Sequence, residues 1–203
     1  MFVLKKRVNI GRLTICEIMI IAYHTIFTTY GTWLPNDPRG SYSKAIYDDE
    51  IRSLGQVRYG RQYPQPEKHK LRRFWTESRG KTDRRAFFID DSIRGTIADG
   101  FDRAIRRLGL TVRACAIMND HVHILTERNK FRIEYVYGQL KADATRLLGL
   151  PETPWAKGAW KVFLEDKEAI ASAAHYIEMN PIKAGWQQQH WDFVTPLSYG
   201  SDL

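Results

Sequence analysis

The sequence predicts an α+β protein built on a ferredoxin-like antiparallel sheet, in the order β-α-β-β-α-β, with an added C-terminal helix. Three observations lead to this prediction. β-branched and aromatic runs lie at 20–28, 110–126 and 159–164, helical apolar spacing separates and follows them, and turn residues mark their junctions. The length of 203 residues, with 43% hydrophobic content, suits one well-buried domain.

The first half of this pattern has clear start and stop signals. Met19 opens the first strand, Ile20 to Thr28, in which His24 is interpreted as a structural or exposed histidine. A helix begins at the capping cluster 90–92 and ends at Gly109. The run 110–126 then predicts a hairpin that turns at its Asn-Asp pair.

The second half repeats the alternation. A helix is predicted over 131–148, with an apolar inner stripe and with Lys141 and Arg146 facing outward. Strand 159–164 follows. The last helix begins after its cap Asp166, runs towards Asn180, and is expected to be stopped by Pro181 and Gly185.

Three regions lie outside this pattern. Residues 1–18 are interpreted as an N-terminal extension to a domain of 19–186, and 187–203 as a C-terminal tail. Region 41–86 is interpreted as an irregular basic insertion with a short helix across 44–57. Its segment 68–75 interleaves cations with aromatics, a mixture that suits a nucleic-acid strand but equally a solvated loop that packs one tryptophan. The candidate DNA contacts there are Arg72, Arg73 and Trp75.

The charge indicates a polyanionic partner. Lys and Arg number 31 against 23 Asp and Glu, giving a net charge of +8 and an isoelectric point near 9.5. Nucleic acid is the commonest such partner. No signal peptide or membrane span is expected, and Cys16 and Cys115 match no zinc spacing. We therefore expect a reduced, cytoplasmic protein, nucleoid-associated when it acts on DNA.

His121 and His123 form half of a candidate metal site. One residue apart on a strand, their side chains project from the same face. Divalent sites need further ligands, so a buried structural histidine beside an exposed one is the alternative. On the last helix, Tyr176 and Asn180 are four residues apart and therefore neighbours. An amide oxygen there can complete a Mg²⁺ or Mn²⁺ site.

The phenol beside such a site suits nucleophilic attack on a phosphodiester, which gives a covalent phosphotyrosine that a free 3′-hydroxyl can later reverse. The alternative for Tyr176 is an ordinary buried aromatic residue.

Two motifs together resemble the paired signature of the single-tyrosine HUH transposases. They are Met-Asn-Asp-His-Val-His-Ile-Leu at 118–125 and Tyr-Ile-Glu-Met-Asn-Pro-Ile-Lys-Ala-Gly at 176–185. The second is most similar to the Tyr-Ile-x-x-Asn-Pro-x-Lys/Arg-Ala-Gly pattern of REP-associated tyrosine transposases. Segments 23–27 and 87–89 match more loosely. The resemblance covers about 19–186, and 41–86 matches poorly.

This resemblance implies a role for each site residue. His121, His123 and Asn180 correspond to the metal ligands and Tyr176 to the nucleophile, while Lys141 falls where relatives carry a basic residue and is a candidate DNA contact. Members of the family cut single-stranded DNA, often at the foot of a hairpin or palindromic repeat, leaving a 5′-phosphotyrosine and a free 3′-hydroxyl. The expected cofactor is Mg²⁺ or Mn²⁺, and the expected state is a monomer or a homodimer.

Two other functions remain open at this point. One is a non-catalytic protein that binds nucleic-acid hairpins. The other is an HUH nuclease of the replication-initiator or relaxase type, which the short chain without a helicase-like region disfavours.

Overall fold

A four-stranded antiparallel sheet forms the centre of the protein in a computed structural model that describes residues 19–41, 43–82 and 84–197. The order across the sheet is β2-β3-β1-β4. The predicted α+β class with an antiparallel sheet is confirmed. The expected extension 1–18, with Cys16, lies outside the described residues. The strands are β1 (Ala22–Thr28), β2 (Val112–Ile117), β3 (His121–Glu127) and β4 (Trp160–Leu164).

Five helices accompany the sheet within those ranges, and none of them combines the length and apolar character needed to cross a bilayer. The predicted caps hold: Asp90 accepts the backbone N–H groups of Ser92 and Ile93, and Asp166 accepts that of Ala169. The helices are α1 (Asp49–Arg52), α2 (Lys68–Ser78), α3 (Asp91–Leu108), α4 (Ile133–Leu147) and α5 (Lys167–Lys183).

The two faces of the sheet are covered differently. One face packs on α3 and α4 through a large apolar core that includes Phe27, Phe101 and Val122. The other face packs on α5, whose Ile170, Ala174 and Ile177 bury a smaller cluster of strand residues. α5 lies over β2 and β3, so its position relative to the hairpin strand decides what the site contains.

Of the two residues predicted to stop α5, Pro181 lies inside the helix, which corrects that part of the prediction. The helix continues to Lys183, and Gly185, with a φ of 82°, reverses the backbone just beyond it. A proline removes only its own N–H from the ladder. The remaining bonds of the last turn persist, because the carbonyl of Pro181 accepts the N–H groups of Ala184 and Trp186.

The segment after α5 covers the free edge of β2. The Gln189 amide accepts from the Ile117 N–H at 2.8 Å and donates to the Ile117 carbonyl at 2.9 Å. Further on, the Thr195 N–H donates to the Val112 carbonyl. Unpaired strand edges invite association with other chains. Residues 187–197 of the predicted tail therefore complete the sheet, and 198–203 lie outside the described residues.

Region 41–86 is more regular than the sequence predicts. α2 occupies 68–78 of a stretch expected to be irregular, and α1 is a single turn. Phe74 of α2 packs on Leu34, Ile46 and Ile51 in a small separate core. The dense cations of α2 obscured its helical apolar spacing.

Gly100 sets the close approach of α3 and α4. A Cβ on Gly100 would lie 2.5 Å from Cα of Ala144, a backbone contact that no side-chain rotation relieves. We expect Gly100→Ala to lower the free energy of unfolding by at least about 2 kcal/mol. Gly95→Ala, on the same helix with no atom within 4 Å, is the control and should raise it by about 0.5–1 kcal/mol. Equal effects of the two variants in urea denaturation would contradict this packing.

Candidate metal and nucleophile site

Three histidines meet on the sheet face that α5 covers. Antiparallel pairing sets Ile26 opposite His123 and His24 opposite Leu125, so His24 and His123 are diagonal neighbours on one face. Ring centroids lie 5.1 Å apart for His24 and His123, and 4.8 Å apart for His121 and His123. The predicted shared face of His121 and His123 is therefore present. His24 is a member of the site that the sequence reasoning missed.

Each ligand candidate on β3 uses its Nδ1 atom in a hydrogen bond. His123 Nδ1 lies 2.9 Å from Nε2 of His24, and His121 Nδ1 lies 2.6 Å from Oδ1 of Asp120. Metal-binding histidines usually have the second ring nitrogen held in this way, which fixes the tautomer and the ring orientation. The Nε2 atoms of His121 and His123 are then the candidate donors to an ion.

Burial keeps the inner imidazoles neutral. It lowers the pKa of His24 to about 4, and it lowers the pKa of His123 to about 2 with a further contribution from the neighbouring His121 and His24. Burial acts in the opposite direction on Asp120. The hydrogen bond with His121 and the nearby positive charges outweigh it, so the pKa of Asp120 is lowered. Metal ligation requires neutral imidazoles, and His123 meets this requirement.

α5 places the predicted nucleophile against this cluster. The Tyr176 ring is 47% exposed, and its centroid lies 5.6 Å from that of His123 and 6.0 Å from that of His24. Nζ of Lys183 lies 5.4 Å from the centre of the same ring. The phenol therefore stands at the open side of the histidine cluster beside a cation that suits a phosphate.

The amide nitrogen of Asn180 is hydrogen-bonded within its own helix. Its Nδ2 atom donates to the backbone carbonyl of Tyr176, one turn back along α5, at 2.7 Å. Among the described residues, no group of three or more His, Cys, Asp or Glu side chains is arranged to hold a metal ion. Two imidazole nitrogens and one amide oxygen remain a chemically suitable set for Mn²⁺ or Mg²⁺ with open positions. The hydrogen bond through Nδ2 leaves the Oδ1 atom of Asn180 as the candidate third donor.

Lys141 faces inward, which corrects the prediction that it faces solvent. It is 9% exposed, and its Nζ donates to the carbonyls of Ala156 and Gly158 at 2.9 and 2.5 Å. Burial lowers the pKa of this ammonium to about 8. The buried face of α4 is wider than the apolar stripe, because the lysine anchors the segment that leads into β4. Arg146 is exposed, as predicted.

The candidate DNA contacts of the insertion lie on α2. Arg72 and Arg73 are exposed, and Nε of Arg73 donates to Glu77 at 2.7 Å. Trp75 is half-buried, with the Arg39 guanidinium 5.5 Å from its ring centre. None of the three side chains forms a hydrogen bond, ion pair or ring contact with the histidine cluster, and their role in DNA binding stays a prediction.

A cavity of about 220 Å³ lies elsewhere, between Tyr30, Arg84 and Pro154. None of its lining residues belongs to the histidine cluster. A polymer strand needs an extended face rather than a cavity of this size, so the chemistry of the site favours the Tyr176 side of the sheet.

The buried histidines predict a pH dependence of stability. The unfolded chain protonates His24 and His123 near pH 6.5, whereas the folded chain does not until about pH 4 and about pH 2. The unfolded state therefore binds more protons between pH 6.5 and 4, and stability falls as the pH falls through this window.

Each histidine contributes at most about 1.4 kcal/mol per pH unit. Urea denaturation at pH 7, 6 and 5 should show that the free energy of unfolding declines less steeply with falling pH for His24→Leu than for the wild type. The carboxylates contribute equally to the decline in both proteins, so the difference reports His24. Identical slopes would contradict a neutral, buried His24.

Neither protein-family models nor curated proteins match this chain. Among solved structures, it is similar to a REP-associated tyrosine transposase bound to a REP hairpin, with 12% identity, coverage of 92% of this chain and 81% of that chain, and a TM-score of 0.49. It is also similar to a candidate transposase from Deinococcus radiodurans, with 14% identity, coverage of 84% and 96%, and a TM-score of 0.35. Identities and scores this low assign no function.

Proposed function

We propose that this protein is a metal-dependent single-stranded DNA endonuclease and strand transferase of the single-tyrosine HUH type, acting at hairpin-associated sites. One observation carries the proposal: α5 brings the ring centre of Tyr176 to 5.6 Å from that of His123. His123 and its neighbour His121 both have their Nδ1 atoms in hydrogen bonds, which suits metal ligation through Nε2. We also interpret the sheet as ferredoxin-like, with α5 as the added helix that carries the nucleophile.

Each candidate site residue has a separate role in the cleavage step. The Tyr176 oxygen attacks the phosphorus, a bond from phosphorus to the phenol oxygen forms, and the bond to the 3′-oxygen breaks to leave a free 3′-hydroxyl. Tyr176 is half-exposed, so the phenol proton passes to solvent and the departing 3′-oxygen takes up a proton from solvent. Lys183 lies where it can attract the phosphate. A divalent ion held by His121, His123 and Asn180 would supply charge neutralisation at the phosphate.

Strand transfer is the reverse of this step. The phosphotyrosine retains the energy of the phosphodiester, so a 3′-hydroxyl can attack it and release Tyr176. Hydrolysis would lose that energy. A tyrosine nucleophile is therefore more suited to cutting and rejoining than to degradation.

A denaturing gel tests the proposal. The purified chain is incubated with Mn²⁺ and single-stranded hairpin DNA labelled at either end. We expect the fragment 3′ of the cut to migrate as a protein adduct, and the other fragment to be extendable by a polymerase from its 3′-hydroxyl. Cleavage that yields two free fragments and no adduct would contradict a tyrosine intermediate.

The position of Asn180 favours one alternative, a hairpin-binding protein that does not cut. Its amide nitrogen donates to the Tyr176 carbonyl one turn back along α5, a contact that a purely structural asparagine also makes. The same gel separates the two functions, since the alternative predicts retention of the hairpin in a native gel and unbroken DNA in a denaturing gel.

A further inference from the structure

On the sheet face next to Tyr176, the described helices cover the ends of β1 and β4 at Thr28 and Trp160 less than the ends at Ala22 and Leu164. α5 packs on β2 and β3, and on β1 the side chains of this face become more accessible from Ala22 and His24, which are buried, to Ile26 and Thr28, which are half-buried. On β4, Trp160 is 39% exposed and Val162 is 36% exposed. A large aromatic side chain thus stands at the surface beside the candidate site.

Trp160 lies in the same row of the sheet as His123. Ile26 pairs with His123 on one side and with Trp160 on the other. Two strand spacings separate the backbones of Trp160 and His123, roughly 10 Å. The alternation of β4 fixes the direction of the indole, since Leu164 packs in the α5 cluster whereas Lys161 pairs with Glu134 of α4 on the opposite face.

We propose that Trp160 is a stacking platform for a base of the single-stranded DNA, one that flanks the phosphate presented to Tyr176. This inference rests on the proposed function and adds the subsite that holds the neighbouring nucleotide. The occupant is a nucleobase of unpaired DNA, because aromatic side chains on an open, electropositive protein stack bases of any identity once those bases are unpaired.

The surroundings support a strand in this place. The row leads from the indole across Ile26 to the imidazoles, and Tyr176 and Lys183 border it from α5. At roughly 10 Å between the two backbones, a phosphate at His123 and a base on Trp160 belong to one short stretch of a DNA strand. The net charge of +8 favours a polyanion over an uncharged apolar partner on the same face.

Three variants of β4 test the subsite. Trp160→Leu keeps an apolar strand residue but removes the stacking surface, Trp160→Phe keeps an aromatic ring, and Phe163→Ala removes a 49% exposed aromatic from the opposite face of the same strand. Each is made in the Tyr176→Phe background, so that binding is measured without cutting. Fluorescence anisotropy with a hairpin carrying a single-stranded extension should show about tenfold weaker binding for Trp160→Leu. The other two variants should stay within about threefold of the parent.

A base analogue locates the contact. 2-Aminopurine placed singly at each unpaired position near the cut should be quenched by the parent at one or two adjacent positions, and Trp160→Leu should abolish that quenching. Unchanged affinity and quenching in Trp160→Leu would overturn the subsite. So would a loss of thermal stability in Trp160→Leu without weaker DNA binding, which would make this face an internal packing surface of the chain.

The subsite and the proposed function fail in distinguishable ways. If the wild type forms the covalent adduct but Trp160→Leu binds and cuts like the wild type, only the subsite is wrong. If the wild type forms no adduct in any metal, the nuclease proposal fails whatever Trp160 does.

Discussion

Tyr176→Phe is expected to eliminate the covalent protein–DNA adduct while hairpin affinity changes by less than about twofold. Only the hydroxyl is lost. The ring keeps its positions 5.6 Å from His123 and 6.0 Å from His24, and Lys183 keeps its contact with the ring face. The measurement is the fraction of labelled hairpin DNA that becomes protein-linked, together with a binding isotherm for the same DNA.

Tyr135→Phe is the matched control. Tyr135 is also on a helix and is 46% exposed, close to the 47% of Tyr176, but it lies on α4 at the opposite side of the sheet. It should form the adduct at the wild-type rate. If Tyr176→Phe still forms the adduct, another residue is the nucleophile and the placement of α5 has no chemical meaning.

Removal of divalent metal is expected to suppress cleavage at least about 100-fold, and added Mn²⁺ should restore it. The loss of charge neutralisation at the phosphate accounts for several kcal/mol of barrier. His121→Ala should resemble the chelated wild type, because the Nδ1 atom of His121 is already held by Asp120 and its Nε2 is the atom offered to an ion. Initial cleavage rates in EDTA and across a Mn²⁺ titration provide the measurement.

His175→Ala controls for the loss of an imidazole near the nucleophile. His175 precedes Tyr176 on α5 but is exposed. We expect the metal requirement of the His175→Ala variant to equal that of the wild type. Full activity of His121→Ala in EDTA would remove the metal role from the pair on β3 and favour a function in which the histidines only pack.

The parts of the fold that depend on local signals were predictable. Asp90, Gly109 and Asp166 act through neighbouring backbone groups, so their effect on helix ends is visible in the sequence alone. The shared face of His121 and His123 follows from strand alternation for the same reason. These predictions needed no knowledge of which strands pair.

Other features depend on register between distant segments. His24 and His123 are 99 residues apart, and only the pairing of β1 with β3 makes them hydrogen-bonded neighbours. The Gln189 side chain pairs with Ile117 across 72 residues in the same manner. No periodicity within either segment encodes such a register.

Lys141 and α2 show a different limit, in which residue type misleads. A lysine at the edge of an apolar stripe is normally exposed. Here two carbonyls of the segment before β4 accept hydrogen bonds from its ammonium group. In α2, the cations that suggested a nucleic-acid contact occupy the outer side of a helix whose Phe74 fills a small core. The same charges suit both interpretations.

The most direct test of the central claim is the identity of the residue that carries the DNA. The wild type is reacted with a hairpin substrate and Mn²⁺, digested with trypsin and nuclease, and sequenced by mass spectrometry. We expect a nucleotide 5′-phosphate on Tyr176, in the peptide that runs from Glu168 to Lys183. A phosphoryl group on any other residue, or complete cleavage with no modified peptide, would contradict it.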